Sequence, residues 1–186
     1  MFILYAIPLG VVAGYLVGGR LERLAGLDFR WGWLAMAGLL IQVLLFSEAA
    51  SGIVGRDLGA MIYVASTAAV LVAVIRNLRL PGVVLVALGA AGNLAAILAN
   101  GGVMPTTEAA LASAGLEDRA GLSNSAIVAD PALAPLTDVF ALPAWVPLAN
   151  VFSIGDVLIG LGVVVLLAAG MRGQLEDSPL RPEAST

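Results

Sequence analysis

The sequence contains no cysteine, no histidine and no lysine, and its nine positive side chains are all arginines. Without cysteine the protein has no disulfide, no thiol nucleophile and no thiolate ligand for zinc or an iron–sulfur cluster. The lack of histidine removes the imidazole base and the usual axial haem ligand, and the lack of lysine removes Schiff-base chemistry. Any chemistry therefore depends on carboxylates, hydroxyls, amides, tyrosines and arginines, or on a cofactor that the sequence does not identify.

Charge is also scarce, since 12% of the residues are charged while 60% are hydrophobic, and the mean hydropathy is +1.00. Soluble domains have about 25% charged and roughly 45–50% apolar residues. The composition is typical of an integral membrane protein, whose partners include membrane lipids. The sequence has no block of basic residues, so it gives no indication of nucleic-acid binding.

Five apolar stretches predict an all-α membrane protein with five transmembrane helices. A hydrocarbon core about 30 Å thick needs roughly 17–25 residues of helix to cross it. The predicted spans lie near residues 2–18, 31–48, 58–75, 80–99 and 154–171, within a single domain of residues 1–172. The first stretch has neither a positive leader nor a cleavage signal, which favours a retained span over a signal peptide. Residues 173–186 carry prolines and charges of both signs, which predicts a disordered cytoplasmic tail.

The distribution of the arginines predicts the orientation of these spans. Cytoplasmic loops of membrane proteins carry an excess of lysine and arginine. One side of the predicted bundle holds Arg20, Arg23, Arg30, Arg76, Arg79, Arg172 and Arg181, and the other side holds Arg56 and Arg119. The asymmetry predicts an N-terminus outside the membrane and a C-terminus inside.

Residues 101–152 form a connection much longer than a usual loop, and such segments tend to be functional or disordered. The stretch T-T-E-A-A-L-A-S-A-G-L predicts a short helix, because it combines a threonine cap, an early glutamate and a closing glycine. The later run A-L-A-P-L-T-D-V-F-A-L-P-A-W-V-P-L-A-N-V-F is too apolar to lie free in water, and its prolines prevent a span. We therefore expect an exoplasmic cap that lies on the outer interface and over the helix bundle.

Small residues recur at helical spacing in the predicted spans. Gly10, Gly14 and Gly18 form two overlapping G-x-x-x-G pairs, which predict either packing within the chain or a homodimer contact. Seven-residue repeats occur at Gly82, Gly89 and Ala96 in the fourth span and at Gly155, Gly162 and Ala169 in the fifth. Because small residues let backbones approach closely, we expect the fourth and fifth spans to form the closest pair.

Two asparagines follow the small-residue stripe of the fourth span. Asn93 and Asn100 each lie four residues beyond a member of that stripe. An unsatisfied amide facing lipid would cost several kcal/mol, so Asn93 should face protein. The partner of its amide is either a neighbouring helix or the head group of a ligand.

The stretch N-V-F-S-I-G-D, residues 150–156, stands at the start of the last apolar segment. If the helix begins just after Ser153, the serine hydroxyl accepts from the first turn and Asp156 completes a capping box. Capping explains Asn150 less well. The same stretch could bind an anion at the helix start, or a cation through oxygen atoms of Asp138, Asn150 and Asp156. With Asn93, Asn100 and Ser153, these residues predict a shallow outward pocket.

The segments G-G-V-M-P and N-V-F-S-I-G-D resemble those of a bacterial family of small membrane proteins classed as a domain of unknown function. The resemblance covers nearly the whole chain except the tail, and it implies a multi-pass protein of the bacterial inner membrane. It implies no reaction, substrate or cofactor.

Three functions remain open at this point. The first is a binding or accessory protein, not an enzyme, whose outward pocket holds a lipid head group, a small solute or a partner segment. The second is a membrane-embedded enzyme acting on a lipid or isoprenoid, with Asp138 or Asp156 as acid/base or cation ligand. The third is a structural subunit that forms homo-oligomers through the first span.

Overall fold

The protein is mostly helical in the computed structural model, which describes residues 2–47, 53–117 and 125–173. The α-helices of these ranges are α1 Ala6–Leu16, α2 Gly32–Leu45, α3 Arg56–Ile75, α4 Val83–Ala99, α5 Glu108–Ala114 and α6 Ile154–Met171. Short 3-10 turns cover Phe2–Tyr5, Leu21–Gly26 and Ala134–Leu136. The predicted disordered tail lies outside the described residues from position 174 onward.

Two of the described helices are long and apolar enough to cross a membrane. They are α3, with 20 residues, and α6, with 18 residues, each with a mean hydropathy of 2.3. The remaining predicted spans correspond to shorter apolar helices, Ile3–Leu16, Gly32–Leu45 and Val83–Ala99. Backbone geometry explains one of the shorter lengths. Gly82 has φ +80, a left-handed conformation that a helix cannot contain, so α4 begins at Val83 and not near residue 80.

The helices pack side by side in the order α1, α6, α4, α3, α2. The last helix of the chain thus lies between the first helix and α4. α6 runs antiparallel to α4, as shown by Gly82 lying against Gly162 and Gly89 against Gly155. It runs parallel to α1, because Gly10 lies against Leu167 and Gly14 against Met171. The arrangement brings the two stretches with small-residue repeats, α4 and α6, into direct contact.

One end of the bundle collects most of the arginines. It is formed by residues 17–31, 76–82 and 171–173, and we call it the arginine end. The backbone N–H of Arg20 donates to the carbonyl of Met171 at 2.8 Å, which joins the end of α1 to the end of α6. Asn77 donates to the carbonyl of Arg30 at 2.7 Å and accepts from its N–H at 2.8 Å. Six of the seven described arginines belong to this end, and only Arg56 lies at the other.

The 101–152 segment contains short strands besides a helix, and these strands were not predicted from the sequence. β1 Met104–Thr106 pairs in parallel with β2 Ser125–Ile127, and β3 Phe140–Ala141 pairs antiparallel with β4 Val151–Phe152. Prolines interrupt this apolar stretch and prevent a helix, so the buried backbone groups need partners from other segments. Strand pairing supplies these partners, which hydrophobic periodicity alone did not reveal.

The predicted short helix in this segment is present as α5. Its N-cap Thr107 accepts from Ala110 N, and its C-cap Gly115 has φ +65. The buried face of α5, at Ala110, Leu111 and Ala114, packs against Val151 of β4. α5 is therefore held against the strands that lead into α6.

The 101–152 segment joins the bundle at the end opposite to the arginine end. Met104 of β1 packs with Tyr63 of α3 and with Ala96 and Ile97 of α4. The Tyr5 hydroxyl donates to the carbonyl of Pro147. These contacts connect the segment to helices at both sides of α6.

Candidate functional site

The start of α6 carries a complete capping box. The Ser153 hydroxyl accepts a hydrogen bond from the backbone N–H of Asp156 at 3.0 Å. In return, Asp156 Oδ2 accepts from the backbone N–H of Ser153 at 3.2 Å. The two bonds satisfy amides that a helix start would otherwise leave without partners. The structure thus gives both side chains the local role that their spacing predicts.

Asn93 of α4 joins this capping box from the neighbouring helix. Its Nδ2 donates to Asp156 Oδ1 at 2.9 Å, and its Oδ1 accepts from the Ser153 hydroxyl at 2.8 Å. We call these three residues the Asn93–Ser153–Asp156 cluster. Ser153 is completely buried, with 0% of its surface exposed, whereas Asn93 and Asp156 are half-buried. The cluster is thus a polar contact between two apolar helices with one side open to the surroundings.

Glycines allow the two helices to come close enough for these bonds. A Cβ at Gly89 would collide with the carbonyl oxygen of Gly155, and a Cβ at Gly155 would collide with Asn93 Oδ1. Two helical turns before Gly89, a Cβ at Gly82 would collide with the carbonyl oxygen of Gly162. Backbone therefore lies against backbone along this seam. The short side chain of Asn93 reaches the start of α6 only because position 155 has no side chain.

Asn100 lies outside the cluster and ties the 101–152 segment to α4. Its Nδ2 donates to the carbonyls of Ala96 at 2.8 Å and Ala132 at 2.9 Å. Its Oδ1 accepts from the N–H of Ala132 at 2.9 Å. Asn100 follows Asn93 by two helical turns, a separation of about 10 Å along the axis. The two amides therefore serve different contacts.

The backbone groups of Asp138 and Asn150 bind other parts of the 101–152 segment. The N–H of buried Asp138 donates to the carbonyl of Pro105 at 2.9 Å, and its carbonyl accepts from the Thr106 hydroxyl at 2.8 Å. The carbonyl of Asn150 accepts from the N–H of Leu142 at 2.8 Å, in the β3–β4 hairpin. Of the six predicted ligand residues, the structure joins Asn93, Ser153 and Asp156, while the side chain of Asn100 binds Ala96 and Ala132.

The glycines of α1 contact α6. A Cβ at Gly10 would lie 2.8 Å from Leu167 Cδ1, and one at Gly14 would collide with the side chain of Met171. The predicted role of Gly18 in helix packing is wrong. It lies beyond the end of α1 with φ +77, and a Cβ there would meet nothing within 4 Å. Gly18 therefore acts in the turn after the helix and not in a helix interface.

Asn77, which is 4% exposed, was not among the residues predicted from the sequence. Besides its two bonds to the Arg30 backbone, it donates to the carbonyl of Ala73 at 2.7 Å. A single amide just after an apolar helix is the signal that could have identified it. In the described part of the chain, no group of three or more histidine, cysteine, aspartate or glutamate residues is placed to hold a metal ion.

Comparisons with known proteins locate the chain in a family. A model of a family of unknown function, DUF5317, matches residues 26–168. The match includes the three residues of the cluster and begins after α1. No curated protein and no solved structure matches the chain.

Proposed function

Because this chain belongs to the DUF5317 family, whose function is unknown, we propose a function from its site geometry: a non-enzymatic binding or accessory protein of the membrane. In this proposal the five apolar helices α1, α2, α3, α4 and α6 all cross the bacterial inner membrane. The shorter helices cross with the help of their flanking turns, because the bilayer thins locally around short spans.

The arginine end supports a topology with the N-terminus outside. It holds six of the seven described arginines, and the cytoplasmic side of a membrane protein carries such an excess. The side chain of Arg76 lies 4.5 Å above the ring of Trp31, which pairs a cation with an aromatic residue typical of the membrane interface. With this end in the cytoplasm, the 101–152 segment becomes an exoplasmic cap.

The Asn93–Ser153–Asp156 cluster is the observation that carries the binding function. A polar group that only joined two helices could be fully buried, yet Asn93 and Asp156 are half-buried beside an otherwise apolar seam. The two oxygens of a carboxylate offer about four acceptor positions. In Asp156, Ser153 N–H and Asn93 Nδ2 occupy two of them. The remaining positions can accept from a hydroxyl or ammonium group.

These positions favour a ligand that carries hydrogen-bond donors at the outer membrane boundary. A lipid head group with hydroxyls or an amine has this chemistry, as do a polar solute and the donor groups of a partner segment. The cluster is fixed before a ligand arrives, because the capping box and the Asn93 bonds already hold both Asp156 oxygens in place. Such preorganisation reduces the entropy cost of binding.

The geometry supports the two other functions less well. An enzyme using paired carboxylates needs Asp138 and Asp156 to converge on one substrate, whereas the Asp156 carboxylate accepts from the Asn93 amide and the Ser153 N–H. A dimer through Gly10 and Gly14 needs a free glycine face on α1, but α6 packs against it.

Native mass spectrometry of protein released from native-membrane nanodiscs tests the proposal. We expect the wild type to retain a lipid or solute that Asp156→Asn loses, since the amide replaces one acceptor oxygen by a donor. Glu108→Gln is a matched control, because it makes the same chemical change at an exposed acid of α5. Bare wild-type protein, or equal retention by wild type and Asp156→Asn, would show that the cluster only joins helices.

A further inference from the structure

A second polar site lies at the arginine end, where the ends of α1 and α6 meet. Tyr15, Arg20, Glu22 and Arg23 line an open groove of about 540 Å³. Binding sites for small molecules typically have volumes of roughly 300–1,000 Å³. This groove is at the opposite end of the bundle from the Asn93–Ser153–Asp156 cluster and precedes the residues that match the family model.

The groove is electropositive and its arginines are partly fixed. Arg23 Nη1 donates to the carbonyl of Arg172 at 2.9 Å, and the N–H of Arg20 donates to the carbonyl of Met171 at 2.8 Å. These bonds hold both residues against the end of α6. Two exposed arginines therefore line the groove, with Glu22 as the negative charge in the lining.

Most of the donor groups in the groove are available. A guanidinium group has five N–H donors, and one from Arg23 is used in the bond to Arg172. Within the described ranges, the guanidinium of Arg20 has no hydrogen-bond partner. Arginine donors in this arrangement match the oxygens of a phosphate, to which a guanidinium can bind through two parallel hydrogen bonds.

Apolar surface next to the groove favours a lipid phosphate over a soluble phosphate compound as the ligand. Tyr15, Leu16 and Val17 at the end of α1 are 55%, 82% and 48% exposed. A soluble phosphate compound would leave this surface uncovered, whereas the acyl chains of a phospholipid would lie along α1. Basic pockets between helices on the cytoplasmic side are sites of the kind that bind anionic lipids.

We infer that the groove at Tyr15, Arg20 and Arg23 binds the phosphate head group of an anionic phospholipid in the cytoplasmic leaflet. The phosphate contacts Arg20 and Arg23, and the acyl chains follow the exposed face of α1. This inference requires that the protein crosses the membrane, but it does not depend on a ligand at the outer cluster.

The test measures lipid retention by the full chain. Wild-type protein is reconstituted in nanodiscs of equimolar phosphatidylcholine and phosphatidylglycerol, released, and analysed by native mass spectrometry. We expect wild type to retain phosphatidylglycerol in preference to phosphatidylcholine. Arg20→Gln/Arg23→Gln should lose this preference by about 30-fold, because each arginine near the surface contributes on the order of fivefold.

Matched variants separate a specific groove from general attraction of the membrane to positive charge. Arg20→Lys/Arg23→Lys keeps both charges and should retain the lipid preference in part, while Arg79→Gln removes a charge elsewhere at the arginine end and should retain it fully. Glu22→Gln should increase the preference, since it removes the opposing charge. An equal loss in Arg79→Gln and the double glutamine variant would overturn the inference.

A final arm distinguishes a lipid from a soluble phosphate. Glycerol 1-phosphate is added at increasing concentration to wild-type protein carrying phosphatidylglycerol. Retention of the lipid supports the role of the acyl chains on α1. Complete displacement at a concentration equal to that of the lipid would assign the groove to soluble phosphate compounds and overturn the lipid assignment.

Discussion

Asn93 on α4 and Asp156 on α6 are 63 residues apart in the sequence and share a hydrogen bond of 2.9 Å between Nδ2 and Oδ1. This bond connects a buried helix seam to the start of the last helix. Ser153 completes the contact, because its hydroxyl donates to Asn93 Oδ1 and accepts from Asp156 N–H at the same time. The capping of α6 and the packing of α4 against it are therefore one interaction.

The first prediction concerns the stability contributed by the Asn93 amide. Asn93→Ala leaves the Ser153 hydroxyl without its acceptor and Asp156 Oδ1 without its donor. We expect the free energy of unfolding to fall by about 1–3 kcal/mol, the cost of unsatisfied buried polar groups. Denaturant unfolding in detergent micelles measures this change. The matched control is Asn150→Ala, a half-buried amide on the same side, for which we expect a change within about 0.5 kcal/mol. Equal effects of both variants would contradict the prediction.

The second prediction concerns the close approach of α4 and α6. Gly89→Ala places a Cβ against the carbonyl oxygen of Gly155 and 3.0 Å from Ile159 N. Because both are backbone atoms, the helices must move apart, and we expect a loss of about 1–3 kcal/mol in stability. Thermal unfolding in detergent measures it. Gly26→Ala serves as control, since a Cβ there meets nothing within 4 Å. If Gly89→Ala proved as stable as the wild type, the seam between α4 and α6 would be looser than the structure indicates.

The third prediction concerns the tie between Asn100 and the 101–152 segment. Asn100→Ala removes the acceptor of the Ala132 N–H and a donor to the Ala132 carbonyl. We expect hydrogen exchange at the Ala132 amide to become at least about tenfold faster, because two hydrogen bonds resist local opening. Ser113→Ala removes a different side-chain hydrogen bond, to Ala109 in α5, and should leave Ala132 unchanged. Unchanged exchange in Asn100→Ala would mean that other contacts hold this loop.

The fourth prediction concerns orientation in the membrane. The protein has no cysteine, so single cysteines can be introduced into the otherwise unchanged chain. Exposed Ser113 of α5 and exposed Ala25 of the arginine end are suitable positions. A membrane-impermeant maleimide applied to intact spheroplasts should label Ser113→Cys, and it should label Ala25→Cys only after the membrane is permeabilised. The opposite labelling pattern would reverse the proposed topology.

Part of the candidate site could be predicted from the sequence because its geometry is local. Ser153 and Asp156 are three residues apart at a helix start, and helix geometry alone brings a side chain at that spacing to the free amides. The pairing of α4 with α6 is also visible in the seven-residue repeats of small side chains. The partner of Asn93 could not be read in the same way, because it depends on which helix the chain places beside α4.

Other features depended on contacts between distant segments. Thr106 donates to the carbonyl of Asp138, and β1 pairs with β2 across α5, although no local pattern marks either contact. The sequence suggested that Asn100, Asp138 and Asn150 would share a pocket with the cluster. The side chain of Asn100 instead binds Ala132, which no local pattern marks as its partner.

The sequence by itself determined the apolar helical character, the cap of α6 and the concentration of arginines at alternate connections, because each follows from composition or from spacing within one helix. Only the tertiary structure decided that α6 lies between α1 and α4, that Gly10 and Gly14 face α6, and that Asn93 completes the cap. The physical reason is that apolar helices are nearly equivalent partners until backbone approach and polar satisfaction distinguish them. Both requirements are met where Gly155 lies against Asn93.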